Sequence, residues 1–419
     1  MSHELEQKGQ GARRASRCLA VLDTGTKNKA LQAIAEAIVS RRDQILEENA
    51  RDLEAGTQAG LGEALLDRLR LSEQGLRNIA RDLLSIVALP DPVGETFDSR
   101  TLPNGLQVGK RRVPIGVIGV IYESRPNVTV DISALCLKSG NAAILRGGKE
   151  AARSNQALAA AVSTACQESG LPAQAVQLIE STDRTLVREM LTCSQHIDMI
   201  IPRGGAALHK FALENATIPV ITGGIGICHA YVDRSADAAK AISIVHNAKV
   251  KKPSVCNALD TLLIHKEVAQ GLLPRIAEKL LVDGVTLRCE PRAQTILNAR
   301  PGITAAGPKD FDTEFLSLNL AVKVVDSFEE AVDHIFQHST HHSDVIITED
   351  YSQAMRFVNE VDSAAVYVNA STYFTDGGQF GLGAEVAIST QRLHARGPMG
   401  LKELTTYKWI VFGDGHIRE

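Results

Sequence analysis

The sequence has no CxxC pair, no long apolar run and no excess of charge of one sign, and each absence removes a class of function. Its seven cysteines (Cys18, Cys136, Cys166, Cys193, Cys228, Cys256 and Cys289) are odd in number and widely spaced. That pattern argues for separate thiols in a reducing compartment and against a disulfide scaffold or a zinc site, so no metal is expected. A net charge of -4, with basic residues spread along the chain, asks for neither nucleic acid nor membrane as partner. The opening Met1-Ser-His-Glu-Leu-Glu-Gln is polar, and Arg13-Arg14 is followed by no apolar leader segment, so a cytoplasmic protein is expected.

What is present is ordinary in bulk and specific in order. At 419 residues, 44% hydrophobic and 22% charged, the chain should form two large units and a smaller appendage. Gly11 to about Leu89 reads as a helical wrapping layer, with Leu31, Ile34, Ile38 and Ile45 on one face. In 99–114, Asn104-Gly105 supplies the positive φ angles of a two-residue hairpin, and Thr405 to Phe412 reads as a strand that can pair with it. Strands and helices then alternate. Strands are expected at Val113–Tyr122, Ala142–Leu145, Val176–Ile179, Ile197–Ile201 and Ile218–Ile221. Helices are expected at Val128–Ser139, Glu150–Ser169, Asp183–Thr192 and Ala206–Asn215. A second series runs from a helix at Ala236–Ala248 through a strand at Thr261–His265 and a helix at Val268–Val282 to about Asn369. Such alternation means parallel sheets covered on both faces, whose ligands sit at strand C-terminal ends.

A dinucleotide suits such a sheet, yet GxGxxG is missing. Gly223-Gly224-Ile225-Gly226 has no helix after it and reads as a turn. Pro202-Arg203-Gly204-Gly205 joins a strand to a helix, where backbone N–H groups can hold phosphate oxygens; helix-capping glycines are the other reading. The stretch Lys249-Val-Lys-Lys-Pro-Ser-Val-Cys256-Asn places one thiol just past three lysines, with a proline to break the helix. Nearby cations favour thiolate, so Cys256 is a candidate nucleophile, although many cysteines are merely small buried hydrophobes.

The paired α/β units, the thiol-bearing loop and Thr313-Glu314-Phe315-Leu316 resemble the aldehyde dehydrogenase superfamily. Val120-Ile-Tyr-Glu-Ser-Arg-Pro-Asn-Val-Thr-Val-Asp131, Ile201-Pro-Arg-Gly-Gly205, the 325–344 stretch and the run from Ser363 to Leu401 resemble its gamma-glutamyl phosphate reductase family. The resemblance implies an aldehyde dehydrogenase-like α/β fold of two domains with parallel-rich sheets and a small β oligomerisation arm. It places an NADP-binding domain in 1–98 and 115–232, a catalytic domain in 233–396, and the arm in 99–114 and 397–419. It implies reduction of L-glutamate 5-phosphate by NADPH in proline biosynthesis, with Cys256 as nucleophile, Asn127 as oxyanion-hole amide and Glu314 on the nicotinamide ribose. A homo-oligomer and functional coupling to glutamate 5-kinase are implied as well.

Several further expectations follow. Oxidising relatives carry a water-activating glutamate before a Gly-Gly turn, whereas this chain reads Val220-Ile221-Thr222-Gly223-Gly224, which suits a reductive direction. Arg146 and Lys149, at a strand end, would suit the 2′-phosphate of NADPH or be plain surface charge. Arg203, Gly204 and Gly205 are cofactor candidates. Arg125, Lys252 and Arg396 are substrate candidates, each equally readable as an ion-pair partner. His229, His334 and His338 are read as structural, since the chemistry asks for no histidine. The rival functions are an oxidising aldehyde dehydrogenase and a silent scaffold that keeps the fold.

Overall fold

In the computed structural model, which describes residues 1–223 and 225–418, the chain divides into two compact units. The first takes residues 1–222, 381–387 and Met399 to the end; the second takes 223–380 and 388–398. Helices α1 (His3–Leu19), α2 (Thr24–Ser40), α3 (Arg42–Gln58), α4 (Glu63–Leu69) and α5 (Glu73–Ala88) open the first unit. The helical layer begins earlier than Gly11 because Ser2 caps α1 by accepting from the Leu5 N–H. Leu31, Ile34, Ile38 and Ile45 are all buried, as their spacing requires. After β1 (Thr96–Thr101) and β2 (Gln107–Pro114) comes the alternating core of this unit.

That core runs β3 (Val117–Tyr122), α6 (Asn127–Lys138), β4 (Ala142–Arg146), α7 (Ala152–Glu168), β5 (Val176–Leu178), α8 (Thr185–Thr192), β6 (Met199–Arg203) and α9 (Ala206–Asn215). Its strands lie parallel in the order β5-β4-β3-β6. Every residue of β3 and β4 is buried, which is why both read as unbroken apolar runs. Two expectations are corrected here. The single strand Val113–Tyr122 is two: β2 ends at Pro114, and Gly116, at φ +133°, turns the chain before β3. Ile218–Ile221 is no strand; one bridge joins Val220 to Ile200.

The second unit runs β7 (Cys228–Val232), α10 (Ala238–Val250), β8 (Leu259–His265), α11 (Lys266–Val282), β9 (Thr286–Cys289), α12 (Pro291–Leu297), β10 (Ile303–Ala305), β11 (Asn319–Val325), α13 (Phe328–His338), β12 (Ser343–Ile347), α14 (Tyr351–Glu360) and β13 (Ala365–Val368). The seven strands are parallel, in the order β10-β9-β11-β8-β7-β12-β13. Leu262, Ile264, Leu273, Leu280, Val322 and Val345 are among the buried residues of its main core. Asp237 caps α10, which continues two residues past the expected end and so takes in Lys249. Between β7 and β8 the register slips: Cys228 faces Leu259 while His229 faces Thr261, leaving Asp260 as the extra residue of a bulge. The short pair β14 (Ile388–Ser389) and β15 (Gly397–Pro398) closes this unit.

The last strand, β16 (Thr405–Phe412), returns to the first unit and pairs antiparallel with β2 from Pro114 to Gln107, giving the sheet β1-β2-β16. The hairpin is present, but its turn differs from the expected one. Leu102 N–H bonds the Leu106 carbonyl, which leaves a three-residue loop in which Gly105 takes φ +91° and Asn104 does not turn positive. Tyr407, Trp409, Val411 and Phe412 are exposed on this sheet, and the Lys110 ammonium lies 4.7 Å from the Tyr407 ring and 5.1 Å from that of Trp409. No helix among the described residues is long and apolar enough to cross a membrane.

Candidate active site

In the second unit Cys256 lies half-buried in the loop between α10 and β8. The unit's other thiols are buried; burial pushes Cys289 up to about 12 and Cys228 well above its usual range. A thiol held protonated is a poor nucleophile, so burial sets Cys256 apart. Its loop is fastened on both flanks. The Cys228 S–H donates to the Cys256 carbonyl at 3.3 Å. The Asn257 amide donates to the carbonyls of Tyr373 (3.1 Å) and Thr375 (3.0 Å), and the Asn257 carbonyl accepts from the Thr372 hydroxyl at 2.8 Å.

Gly226 was expected to do no more than turn the chain, and the neighbouring Gly224 lies outside the described residues. Gly226 in fact sits against the backbone of the candidate nucleophile: a Cβ there would stand 1.5 Å from the Cys256 carbonyl oxygen. Its N–H donates to Glu314 Oε1 at 2.9 Å. Glu314, the candidate ribose ligand, is thus one residue's width from the backbone of Cys256. Burial raises the Glu314 carboxyl above its usual range, opposed by the Gly226 N–H.

The lysines need a correction. Lys249 is not in the loop; it is buried near the end of α10, with its ammonium 3.2 Å from Asp260. Burial lowers Lys249 and raises Asp260 to about 6, each restrained by the other's charge. Lys251 and Lys252 are the exposed cations ahead of Cys256. Arg396 donates to the Asp362 carboxylate at 2.7 Å and to the Asp362 carbonyl at 2.6 Å, so an ion pair engages its guanidinium. His229 is buried, its Nδ1 at 3.1 Å from the Ile227 carbonyl and 3.3 Å from Asp344. His334 packs edge-on against His229 and Phe311, and burial brings it down to about 2. His338 Nδ1 lies 2.7 Å from Asp312.

In the first unit β3 ends at Tyr122, and the chain passes through Ser124 at φ +39° before α6 opens at Asn127. Such an angle is costly for serine unless held, and the Ser124 N–H (2.8 Å) and hydroxyl (2.7 Å) both donate to Glu150 Oε1. Asn127 is therefore the first residue of a helix and not part of a turn, and its amide donates to Asp131 Oδ2 at 2.8 Å. An amide carries two N–H groups, so a second donor remains. Burial pushes Asp131 up to about 6, opposed by the Asn127 bond. Arg125 is exposed.

Arg146, the last residue of β4, is 7% exposed, and its guanidinium donates to the carbonyls of Gly147 (2.8 Å) and Thr182 (3.0 Å). Lys149 is exposed. Gly147, Gly148, Asn155 and the segment from Leu178 to Thr182 line a small recess at the C-terminal ends of β4 and β5. At the end of β6, Arg203 is half-buried and Gly205 caps α9. The Gly205 N–H donates to Glu123 Oε2 at 3.0 Å, and a Cβ on Gly204 would meet the same carboxylate, while Gly205 faces open space. The helix end expected to hold phosphate therefore already holds an anionic group of this chain. Glu123 and Gly226 were missed because each acts on a residue more than 80 positions away.

Comparison with known proteins gives a consistent answer. The aldehyde dehydrogenase family model matches residues 2–286. A gamma-glutamyl phosphate reductase of Roseiflexus castenholzii is 56% identical over 99% of this chain and 99% of its own. That of Psychromonas ingrahamii is 56% identical over 99% of this chain and 100% of its own. Among solved structures, gamma-glutamyl phosphate reductase from Thermotoga maritima superposes with a TM-score of 0.97 at 48% identity, covering 99% of this chain and 100% of that one. An acetylating aldehyde dehydrogenase from Geobacillus thermoglucosidasius shares the fold alone, with a TM-score of 0.70 at 17% identity over 99% of this chain and 98% of that one. The chain belongs to the aldehyde dehydrogenase family, in its gamma-glutamyl phosphate reductase group.

Proposed function

We propose that the chain reduces L-glutamate 5-phosphate with NADPH to L-glutamate 5-semialdehyde and phosphate, the second step of proline biosynthesis. Relatives of that name, 56% identical over 99% of the chain, support the substrate. The observation that carries the reading is Cys256: in the second unit it is the thiol that burial leaves accessible, in a loop fastened on both flanks.

Family membership implies a nicotinamide cofactor, and the residues present fit one. The recess lies at the C-terminal ends of parallel strands, where such sheets take their ligands, and the space in front of Gly205 is clear. Lys149 and Arg146 are the proposed partners of the 2′-phosphate. Arg203, Gly204 and Gly205 would hold the pyrophosphate once Glu123 releases the Gly205 N–H, and Glu314 would hold the ribose. When bound, the reduced cofactor supplies a hydride.

The Cys256 thiolate attacks the acyl carbon; a C–S bond forms and the C–O bond to phosphate breaks. Phosphate leaves with its own charge, so no strong general acid is needed. Negative charge develops on the carbonyl oxygen, and the proposed donors are the backbone N–H of Cys256 and an amide N–H of Asn127, each worth about 3 kcal/mol. The residue before Gly223 is Thr222, which offers no base to activate water against the thioester. Arg125, Lys252 and Arg396 are the proposed contacts for the substrate's carboxylate and phosphate, Arg396 by leaving Asp362. Self-association through the exposed β1-β2-β16 sheet, functional coupling to glutamate 5-kinase and a cytoplasmic location complete the proposal. The test is the reverse reaction, glutamate semialdehyde with phosphate and NADP+, followed by absorbance on the parent and on Cys256→Ser. A parent that forms no NADPH, or a variant that keeps full turnover, sinks it.

A further inference from the structure

We propose that Asp260 is a positioning residue that couples the cofactor carboxylate Glu314 to the nucleophile Cys256. This rests on the roles proposed above for those two side chains. Asp260 is buried within a strand whose other residues are mostly apolar, and it is the inserted residue of the β7–β8 bulge. A bulge re-aims one side chain beside an active site at the expense of ladder pairing. Here Asp260 Oδ1 accepts from two donors, the Lys249 ammonium at 3.2 Å and the Phe315 N–H at 3.3 Å.

Those partners define what the carboxylate joins. Lys249 stands at the entrance of the nucleophile loop and Asp260 at its exit, so their contact closes the loop's base. Phe315 follows Glu314 directly, and its ring lies 5.8 Å from the Lys249 ammonium and 5.5 Å from the Arg288 guanidinium. On the other side, Glu314 accepts from Gly226, which abuts the Cys256 carbonyl. The contacts form a closed ring: Cys256, Gly226, Glu314, Phe315, Asp260 and back along the chain to Cys256. A ribose drawing Glu314 toward it pulls on both ends of that ring, and the loop that presents the thiol responds. A buried ion pair is a poor device for stability alone, since apolar residues of similar size do as well or better. A coupling role gives this one a reason to be there.

The test uses the full chain and follows alkylation of Cys256 by iodoacetamide, read by peptide mass mapping so that the exposed Cys18 is scored separately. In the parent, saturating NADPH changes the Cys256 rate by about fivefold or more. Asp260→Asn keeps an acceptor for the Phe315 N–H but removes the charge. It is expected to shrink that ratio toward one and to weaken NADPH binding, titrated by fluorescence, by about fivefold. A parent rate indifferent to NADPH, or an Asp260→Asn protein within twofold of the parent in both readouts, overturns the proposal. Should Asp260→Asn fail to fold because the Lys249 charge is left unpaired, the double variant Lys249→Met/Asp260→Asn removes both charges and is expected to lose the same coupling. A double variant that folds with the parent's ratio, or does not fold, shows a purely structural pair and overturns it. Full turnover by Cys256→Ser would sink the functional reading separately, leaving the measured linkage to stand or fall alone.

Discussion

The two α/β units are built alike and differ in how they hold the polar groups beside their candidate sites. At the strand ends of the first, Glu123, Arg125 and Lys149 are exposed, and Arg146 is tied to backbone carbonyls. Around the Cys256 loop of the second, Cys228, His229, Lys249, Asp260, His342 and Asp344 are all buried. A surface that takes up and releases a cofactor needs reachable donors and little stored charge. A covalent site must instead hold one backbone to within about half an ångström, and buried polar contacts supply that rigidity at a cost in desolvation.

The largest expected effect sets one thiol against another. Cys256→Ser should lower turnover at least ~10⁴-fold. Cys136→Ser in the first unit, where burial pushes the thiol up to about 12, should leave turnover intact and only lower the melting temperature. Equal losses in the two variants would erase the contrast between the units. Next, Asn127→Ala should reduce kcat by about 10²–10³-fold with NADPH binding unchanged by titration, because the lost donor serves charge that develops during reaction.

Acid should find the second unit first. Burial holds His334 down to about 2 and His342 down to about 4. The unfolded chain protonates these rings near ~6.5. The stability their neutral forms contribute is therefore present above that pH and is lost as pH falls from ~6.5 through 4 toward 2. By pH 5 each ring has withdrawn about 2 kcal/mol. Melting scans between pH 7 and 5 should show that decline, and His334→Phe, beside Phe311, should roughly halve it by leaving the share of His342. The smallest effect belongs to the first unit: Lys149→Met should raise the KM for NADPH about fivefold, the size of an exposed charge contact, while leaving that for NADH unchanged.

Legibility in the sequence tracked the same division. The candidate nucleophile could be proposed because a proline-broken, lysine-flanked thiol is a local pattern, and the parallel strands were readable because both of their faces are buried. The hairpin was readable but its loop length was not, since Asn-Gly fits several turns. Lys249 was misplaced because α10 runs two residues past its expected end, and helix ends are where pattern reading is weakest. Glu123, Gly226 and Asp260 act through distant contacts. Of these, Asp260 left a signal: a carboxylate at the head of Leu259-Asp-Thr-Leu-Leu-Ile-His265, where an interior strand should carry none.

Gly226 sets a limit for anyone who would reshape this scaffold toward other acyl donors. Its neighbour at the point of contact is a main-chain oxygen and not a side chain that can swing aside. No rotamer absorbs even a methyl group there, so a library diversifying the loop can vary the exposed Lys251 but should leave codon 226 untouched.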